Sequence, residues 1–178
     1  MYTGNNKTAL TSQQQIAEAF VLLLKDVPYS SISVSAICKK AGISRQTFYT
    51  LFSSRENIVL YLLDKNHGFT PGCSCKEAFL SLQELSREYS SYIADRKEFL
   101  SLLVRNDLIY LMHECLFQSF MSCPMFLPDL PLTRREFGAE FISGGLAGIA
   151  RIYAVTPDAS RTELEQTITS LLSGSFFR

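Results

Sequence analysis

Arg45, Gln46, Thr47, Tyr49 and Thr50 gather a guanidinium, a carboxamide, two hydroxyls and a phenol into six residues. These are groups that recognise other molecules through hydrogen bonds. On a helix, Gln46, Tyr49 and Thr50 fall at i, i+3 and i+4, so they share one face, with Arg45 and Thr47 flanking it. Phe48, Leu51 and Phe52 repeat the same spacing on the opposite face and should point inward. A short helix held by buried aromatics and presenting Arg, Gln, Thr and Tyr outward suits the reading of base edges in the major groove of DNA.

That helix needs something to position it. Upstream, Val34, Ile37 and Cys38 read as one face of another short helix, with Ser33 as its cap. Gly42 is able to take the left-handed conformation that ends this helix. Ser44 then accepts from a free N–H at the start of the next. Cys38 is the size of a small core residue, and an inert buried thiol is the simpler reading beside a reactive one. Ser12 and Gln15 suggest a capping box for a first helix carrying Ile16, Phe20, Leu23 and Leu24, ended near Lys25 by Pro28. Residues 1–10 read as frayed. Ser53 and Glu56 suggest a second box, opening a helix through Ile58, Tyr61, Leu62 and Lys65 that leads out of this head.

The run Ala41-Gly42-Ile43-Ser44-Arg45-Gln46-Thr47-Phe48-Tyr49-Thr50-Leu51-Phe52, followed by Ser54-Arg55-Glu56-Asn57-Ile58, resembles the DNA-binding signature of the TetR/AcrR family of bacterial transcriptional regulators. The likeness reaches back to Ile16-Ala17-Glu18-Ala19-Phe20 and covers roughly the first third of the chain. It implies an all-α fold. A three-helix helix-turn-helix domain over 1–55 would precede a helical ligand-binding and dimerisation domain over 56–178. The DNA-facing set it implies is Ser35, Ser44, Arg45, Gln46, Thr47, Tyr49, Thr50 and Arg55. Arg55 matches a position that touches the DNA backbone in the family, at a helix start where N–H groups favour an anion; a solvated arginine is the alternative.

The charge distribution agrees with this division. The 178 residues carry no net formal charge, but residues 1–55 hold six basic and two acidic side chains against 11 and 15 in the remainder. A basic head on an acidic body is expected when one end alone meets phosphate. The start, Met-Tyr-Thr-Gly-Asn-Asn-Lys, has no charged-then-apolar leader, and five cysteines without one point to a reducing cytoplasm. The longest apolar run, Phe141 to Val155, contains three glycines and Arg151, so no membrane span is expected.

Beyond the head the pattern is helical. Phe79, Leu82, Leu85, Tyr89 and Tyr92 form one stripe, and Phe99 to Val104 a shorter helix after an Asp95–Glu98 turn. Leu108 to Phe120 is apolar nearly all round, as in a helix buried on most sides. Cys123 to Pro131, with three prolines, is a shaped loop. Thr133 and Glu136 suggest a box for a helix to about Tyr153, and Ser160 and Glu163 one for a last helix with Leu164, Ile168, Leu171 and Leu172 on one face.

Gly144, Gly145 and Gly148 stand inside the first of these two helices, where glycine costs about 1 kcal/mol relative to alanine. Close approach of another helix would offset that. In the resembled family the last two long helices form a four-helix dimer interface. Phe141, Gly144, Gly145, Gly148, Ile149, Ile152, Leu164, Ile168, Leu171 and Leu172 would suit it, with intrachain packing as the alternative. The resemblance further implies a small-molecule effector among the helices of the body. Tyr89, Tyr92, Phe99, Leu103, Tyr110, His113 and Phe117 would line its cavity, with His113 or Arg105 as the polar element.

The expected partners are double-stranded DNA, a second copy of the chain and an unidentified effector; no cofactor, metal or membrane is expected. Two histidines, and neither a Gly-rich phosphate loop nor a Gly-x-Ser-x-Gly elbow, argue against an enzyme. Two alternatives remain open. One is an adaptor that works through protein contacts. The other is a thiol- or metal-responsive regulator using His67, Cys73 and Cys75 with His113, Cys115 or Cys123, although Cys-x-Cys lacks the usual Cys-x2-Cys spacing.

Overall fold

The computed structural model describes residues 2–64 and 81–174. His67, Cys73, Cys75, Phe79 and Lys65, which carried expectations above, lie outside them. The described residues form nine α-helices and a short 3-10 turn, with no strand. They fall into two compact units, Met1–Lys65 and Asn66–Arg178. The division lies ten residues beyond the 55/56 boundary expected from the sequence, because the helix after the signature packs against the first one.

In the first unit α1 spans Lys7–Asp26, the 3-10 turn Tyr29–Ser31, α2 Val34–Ala41, α3 Arg45–Leu51 and α4 Glu56–Asp64. Burial follows the spacing of the apolar residues. Ile16 and Phe20 of α1, Ile37 of α2, Phe48 of α3, Phe52, and Ile58 and Leu63 of α4 are wholly enclosed. Phe48 and Phe52 meet at 6.2 Å between ring centroids, and Tyr61 packs edge-on against Phe52 at 5.5 Å.

In this unit two helix starts differ from expectation. α1 begins at Lys7, where the Asn6 carboxamide oxygen accepts from the Thr8 and Ala9 N–H groups at 2.9 and 3.3 Å, so Ser12 and Gln15 lie inside the helix. Residues 2–6 are tied down rather than frayed. The Tyr2 N–H donates to the Leu51 carbonyl at 3.0 Å, and buried Gln13 donates through Nε2 to the Tyr2 carbonyl at 3.0 Å. At α4 the serine that accepts from the helix is Ser54, from the Asn57 N–H at 3.3 Å, and not Ser53. The Glu56 carboxylate is engaged instead by the Tyr29 hydroxyl.

In the second unit α5 spans Leu82–Ala94, α6 Lys97–Arg105, α7 Tyr110–Ser122, α8 Leu132–Val155 and α9 Arg161–Leu172. The main packings are α7 on α8, α5 on α9 and α6 on α8. The capping box of Ser160 and Glu163 opens α9, and an unforeseen one, Ser81 with Glu84, opens α5. In each box hydrogen bonds from the serine hold the glutamate below the usual carboxylate range. α8 has no such box. It starts directly after Pro131, whose carbonyl accepts from Arg134 and Arg135 at 2.9 and 3.1 Å, leaving Thr133 in the first turn.

α7 is one-sided rather than buried all round. Leu111, Met112, Leu116 and Phe120 face the core, while Tyr110, Glu114 and Gln118 are exposed. The Cys123–Pro131 stretch is the expected shaped loop. Arg135 holds it, donating through Nε to the Phe126 carbonyl at 3.0 Å and through Nη2 to the Cys123 carbonyl at 3.3 Å. No helix among the described residues is long and apolar enough to cross a membrane.

Candidate nucleic-acid interface

The reading helix is placed by the turn in front of it. Gly42 stands at φ 69°, ψ 30°, the left-handed end of α2. Its own N–H and that of Ile43 return to the Cys38 carbonyl. Ser33 caps α2, accepting from the Ala36 N–H at 3.1 Å. Ser44 caps α3, accepting from the Thr47 N–H at 3.0 Å, and the two hydroxyls lie 2.9 Å apart. Cys38 is buried between the two helices, which pushes its thiol pKa up despite the positive charge of Arg45. It packs as an inert thiol.

α3 divides sharply. Phe48, Leu51 and Phe52 are all at 3% exposure or less. Arg45, Gln46, Tyr49 and Thr50 are exposed and Thr47 is half-buried. Thr50 returns its hydroxyl to the Gln46 carbonyl at 3.0 Å, and Thr47 faces Ser44. The side chains of Arg45 and Gln46 and the Tyr49 hydroxyl have no hydrogen-bond partner among the described residues. The Tyr49 ring stands edge-on to Phe48 at 5.3 Å, which orients it from below. Ser35 is exposed on α2, and Lys39 and Lys40 are exposed at its end. Those two lysines entered the sequence reading as charge alone. Their place in the last turn of α2, just before the reading helix, was the available signal.

Arg55, expected at the DNA backbone, lies against a turn of its own unit. Its guanidinium turns inward, 4.3 Å above the centroid of the Tyr29 ring. Nη1 donates to the Tyr29 carbonyl at 3.1 Å and to the Ile32 carbonyl. The neighbouring Glu56 is half-buried, which raises its pKa, but hydrogen bonds from Tyr29, its own N–H and Ser54, with the charge of Arg55, bring the balance below the ordinary range.

The residues expected to line an effector cavity differ in their surroundings among the described residues. Tyr89 and Leu103 are fully enclosed, and the Tyr89 hydroxyl donates to the Leu146 carbonyl at 2.8 Å. Burial, with Tyr92 and Cys115 nearby, pushes the Tyr89 phenol pKa well above its usual value. Tyr92 is buried beneath the Arg96 guanidinium, 4.3 Å from its ring, while Phe99 and Phe117 are half-buried. Tyr110 is 57% exposed. His113 lies 3.2 Å from Glu140, and Arg105 is exposed, bonding back to Ser101 of its own helix at 3.3 Å. An apolar cavity of about 570 Å³ lies elsewhere in the unit, lined by Leu85, Phe120, Phe126, Leu127, Ile142 and Leu172 among others.

The expected dimer residues also separate. Leu164 and Ile168 belong to the core, where α9 packs on α5. Ile149, Leu171 and Leu172 are half-buried. Phe141, Gly144, Gly145 and Ile152 are exposed on one side of α8 and Gly148 is half-buried beside them. Phe137, at 70% exposure, joins this side and was missed; it stands one turn before Phe141. Among the described residues no three potential metal ligands lie together.

The pattern of the family described as bacterial regulatory proteins, tetR family, matches residues 16–62, which contain α2, α3 and nearly all of α4. The first unit thus carries the DNA-binding pattern of the TetR family. The chain is similar to the HTH-type transcriptional regulator EthR of Mycobacterium tuberculosis, at 54% identity over 43 residues, 24% of this chain and 20% of EthR. The chain thus matches about a fifth of the length of this relative.

Two solved structures share the fold. One, Lin0861 from Listeria innocua, aligns with TM-score 0.79 at 12% identity, covering 100% of this chain and 97% of that one. The other, a TetR transcriptional regulator from Streptococcus agalactiae 2603V, aligns with TM-score 0.61 at 16% identity, covering 93% and 95%.

Proposed function

We propose that this chain is a sequence-specific DNA-binding transcriptional regulator of the cytoplasm. It binds a roughly palindromic operator as a homodimer, answers to a small-molecule effector, and represses where that operator overlaps a promoter. One observation carries the DNA reading: Arg45, Gln46 and Tyr49 stand uncommitted on a short helix whose other face is buried at Phe48, Leu51 and Phe52. Rigid backing and free donors are what base readout requires. Ser35, Lys39, Lys40, Ser44, Thr47 and Thr50 surround them as candidate backbone contacts.

The test is selection of bound duplexes from random DNA, followed by Arg45→Ala and Tyr49→Ala. Each variant is expected to lose about tenfold or more in affinity for the selected sequence. Affinity should also fall steeply with salt, with a log–log slope near −0.9 per phosphate neutralised. Unchanged promoter occupancy in both variants would favour an adaptor working through protein contacts.

Homodimerisation is supported by the outer side of α8. Phe141 is 81% exposed, and a Cβ built on Gly144, Gly145 or Gly148 meets nothing within 4 Å among the described residues. Packing against the described residues therefore gives no reason for these glycines. A groove of about 540 Å³ beside them, lined by Gly145, Gly148, Ile149 and Ile152 of α8 and by Leu164 and Thr167 of α9, is a seat for Phe141 of a second copy. Such an exchange is self-complementary, as a two-fold interface demands. It would place two reading helices one DNA turn, about 34–36 Å, apart. Phe141→Glu is expected to turn a sedimenting dimer into a monomer with unchanged helix content. A monomeric wild-type chain at micromolar concentration would remove this part of the reading.

The apolar cavity of about 570 Å³ is the candidate effector site, of a size that suits a drug-sized apolar molecule. To switch operator occupancy fully, an effector must prefer one conformer by about 5.5 kcal/mol.

A further inference from the structure

We propose that Arg55 is a positioning residue for DNA recognition, acting from inside the head on the turn that sets α2 and α3, and not on the DNA backbone. The inference rests on the DNA-binding reading above. Arg55 and Glu56 stand together at the start of α4, and both grip the same turn. The guanidinium lies flat over the Tyr29 ring and donates to the Tyr29 and Ile32 carbonyls, while the Tyr29 hydroxyl donates to Glu56. The ring is thus held from one face and from its tip.

What the turn controls is the placement of the reading helix. Ile32, at 1% exposure, ends it, and Ser33 follows at once as the cap of α2. α2 then leads through Gly42 to Ser44 and α3. A shift of the turn therefore displaces both helices of the motif, and a displacement of α4 is carried to the turn through these contacts. The guanidinium suits the task because it is planar: it stacks on the ring and still directs N–H groups at two carbonyls. A lysine ammonium is a point charge that cannot do both.

Arg55→Lys separates the possible roles because it keeps the charge and removes the fork. The full-length chain is measured at a temperature where circular dichroism shows it folded, against the operator selected by the wild type and against unrelated duplex. Positioning predicts that operator affinity falls about tenfold, because misplaced side chains lose base contacts. Affinity for unrelated DNA and the salt slope stay at wild-type values, since those depend on phosphate neutralisation.

Tyr29→Leu alters no charge and is expected to give the same split, which keeps the test available should Arg55→Lys fail to fold. A phosphate contact instead predicts near-normal binding by Arg55→Lys and, in Arg55→Gln, a slope reduced by about 0.9 with operator and unrelated DNA weakened together. A merely structural arginine predicts lower melting temperatures with both affinities intact. Either pattern overturns the proposal. A wild-type chain that selects no sequence would fail earlier, at the DNA-binding reading itself, and the proposal falls with it.

Discussion

The two units each expose one helix face over a buried one, and the faces carry opposite chemistry. On α3 the exposed side is polar, and the side chains of Arg45 and Gln46 and the Tyr49 hydroxyl have no hydrogen-bond partner among the described residues. On α8 it is apolar, with Phe137, Phe141, Ile152 and Val155 exposed around three glycines where an added Cβ meets nothing within 4 Å among the described residues. The first face suits a hydrated, charged partner whose groups need matching one by one. The second suits a partner that removes area from water. In both cases an opposing buried face makes presentation rigid: Phe48 and Leu51 under α3, Ala139, Leu146 and Ala150 under α8.

The comparison is sharpest within α3, between neighbours. Phe48→Ala should destabilise the first unit by about 3–5 kcal/mol, as deletion of an enclosed aromatic does. Tyr49→Ala should cost about 1 kcal/mol or less, the value of an edge-on ring contact. Both should lose operator binding, and denaturant unfolding of the full chain tells the two causes apart. Equal destabilisation would mean that Tyr49 belongs to the core of the head and not to its reading surface.

A smaller effect contrasts two glycines that both have open space where a Cβ would go. Gly42→Ala should cost about 1–2 kcal/mol because its φ of 69° strains an L side chain. Gly144→Ala lies within α8 and should instead stabilise the second unit by up to about 1 kcal/mol, while weakening self-association. Thermal melts and sedimentation of the two variants give the signs. Gain on both counts for Gly144→Ala would place the partner elsewhere.

The smallest effect is acid-dependent. The folded pKa of Glu56 lies below its unfolded value, so its contribution to stability is fully present above the ordinary glutamate range and is lost as pH falls through the lowered value. Glu56→Gln should therefore flatten the acid side of the stability profile of the first unit and leave that of the second unchanged. No flattening would show that Tyr29 is held without the carboxylate.

Much of the head was legible because its signals are local. Gly42, Ser33 and Ser44 act within four residues, and the i, i+3, i+4 spacing of Phe48, Leu51 and Phe52 leaves one inward side. The start of α1 was misplaced although its cap, Asn6, is local too, whereas the anchoring of Tyr2 by Gln13 and Leu51 is not. It also missed Ser81 with Glu84, although their spacing matches that of Ser160 with Glu163. In the body, periodicity identified the helices but not what covers each face. Leu164 and Ile168 are as apolar as Ile152, and α5 claims them while Ile152 stays exposed.

The amino-acid order by itself determined an all-helical chain, a reading helix with one polar and one aromatic side, and a basic head on an acidic body. Those properties depend on neighbours along the chain or on simple charge, so no distant contact is needed to see them. Only the tertiary structure decided that Arg55 turns inward to Tyr29 and Ile32, that the tyrosines at 89 and 92 are enclosed, and that Phe137, Phe141 and Ile152 of α8 are left exposed. Each of these depends on which segments meet across tens of residues. A side chain's type limits the partners it accepts, and packing selects among them.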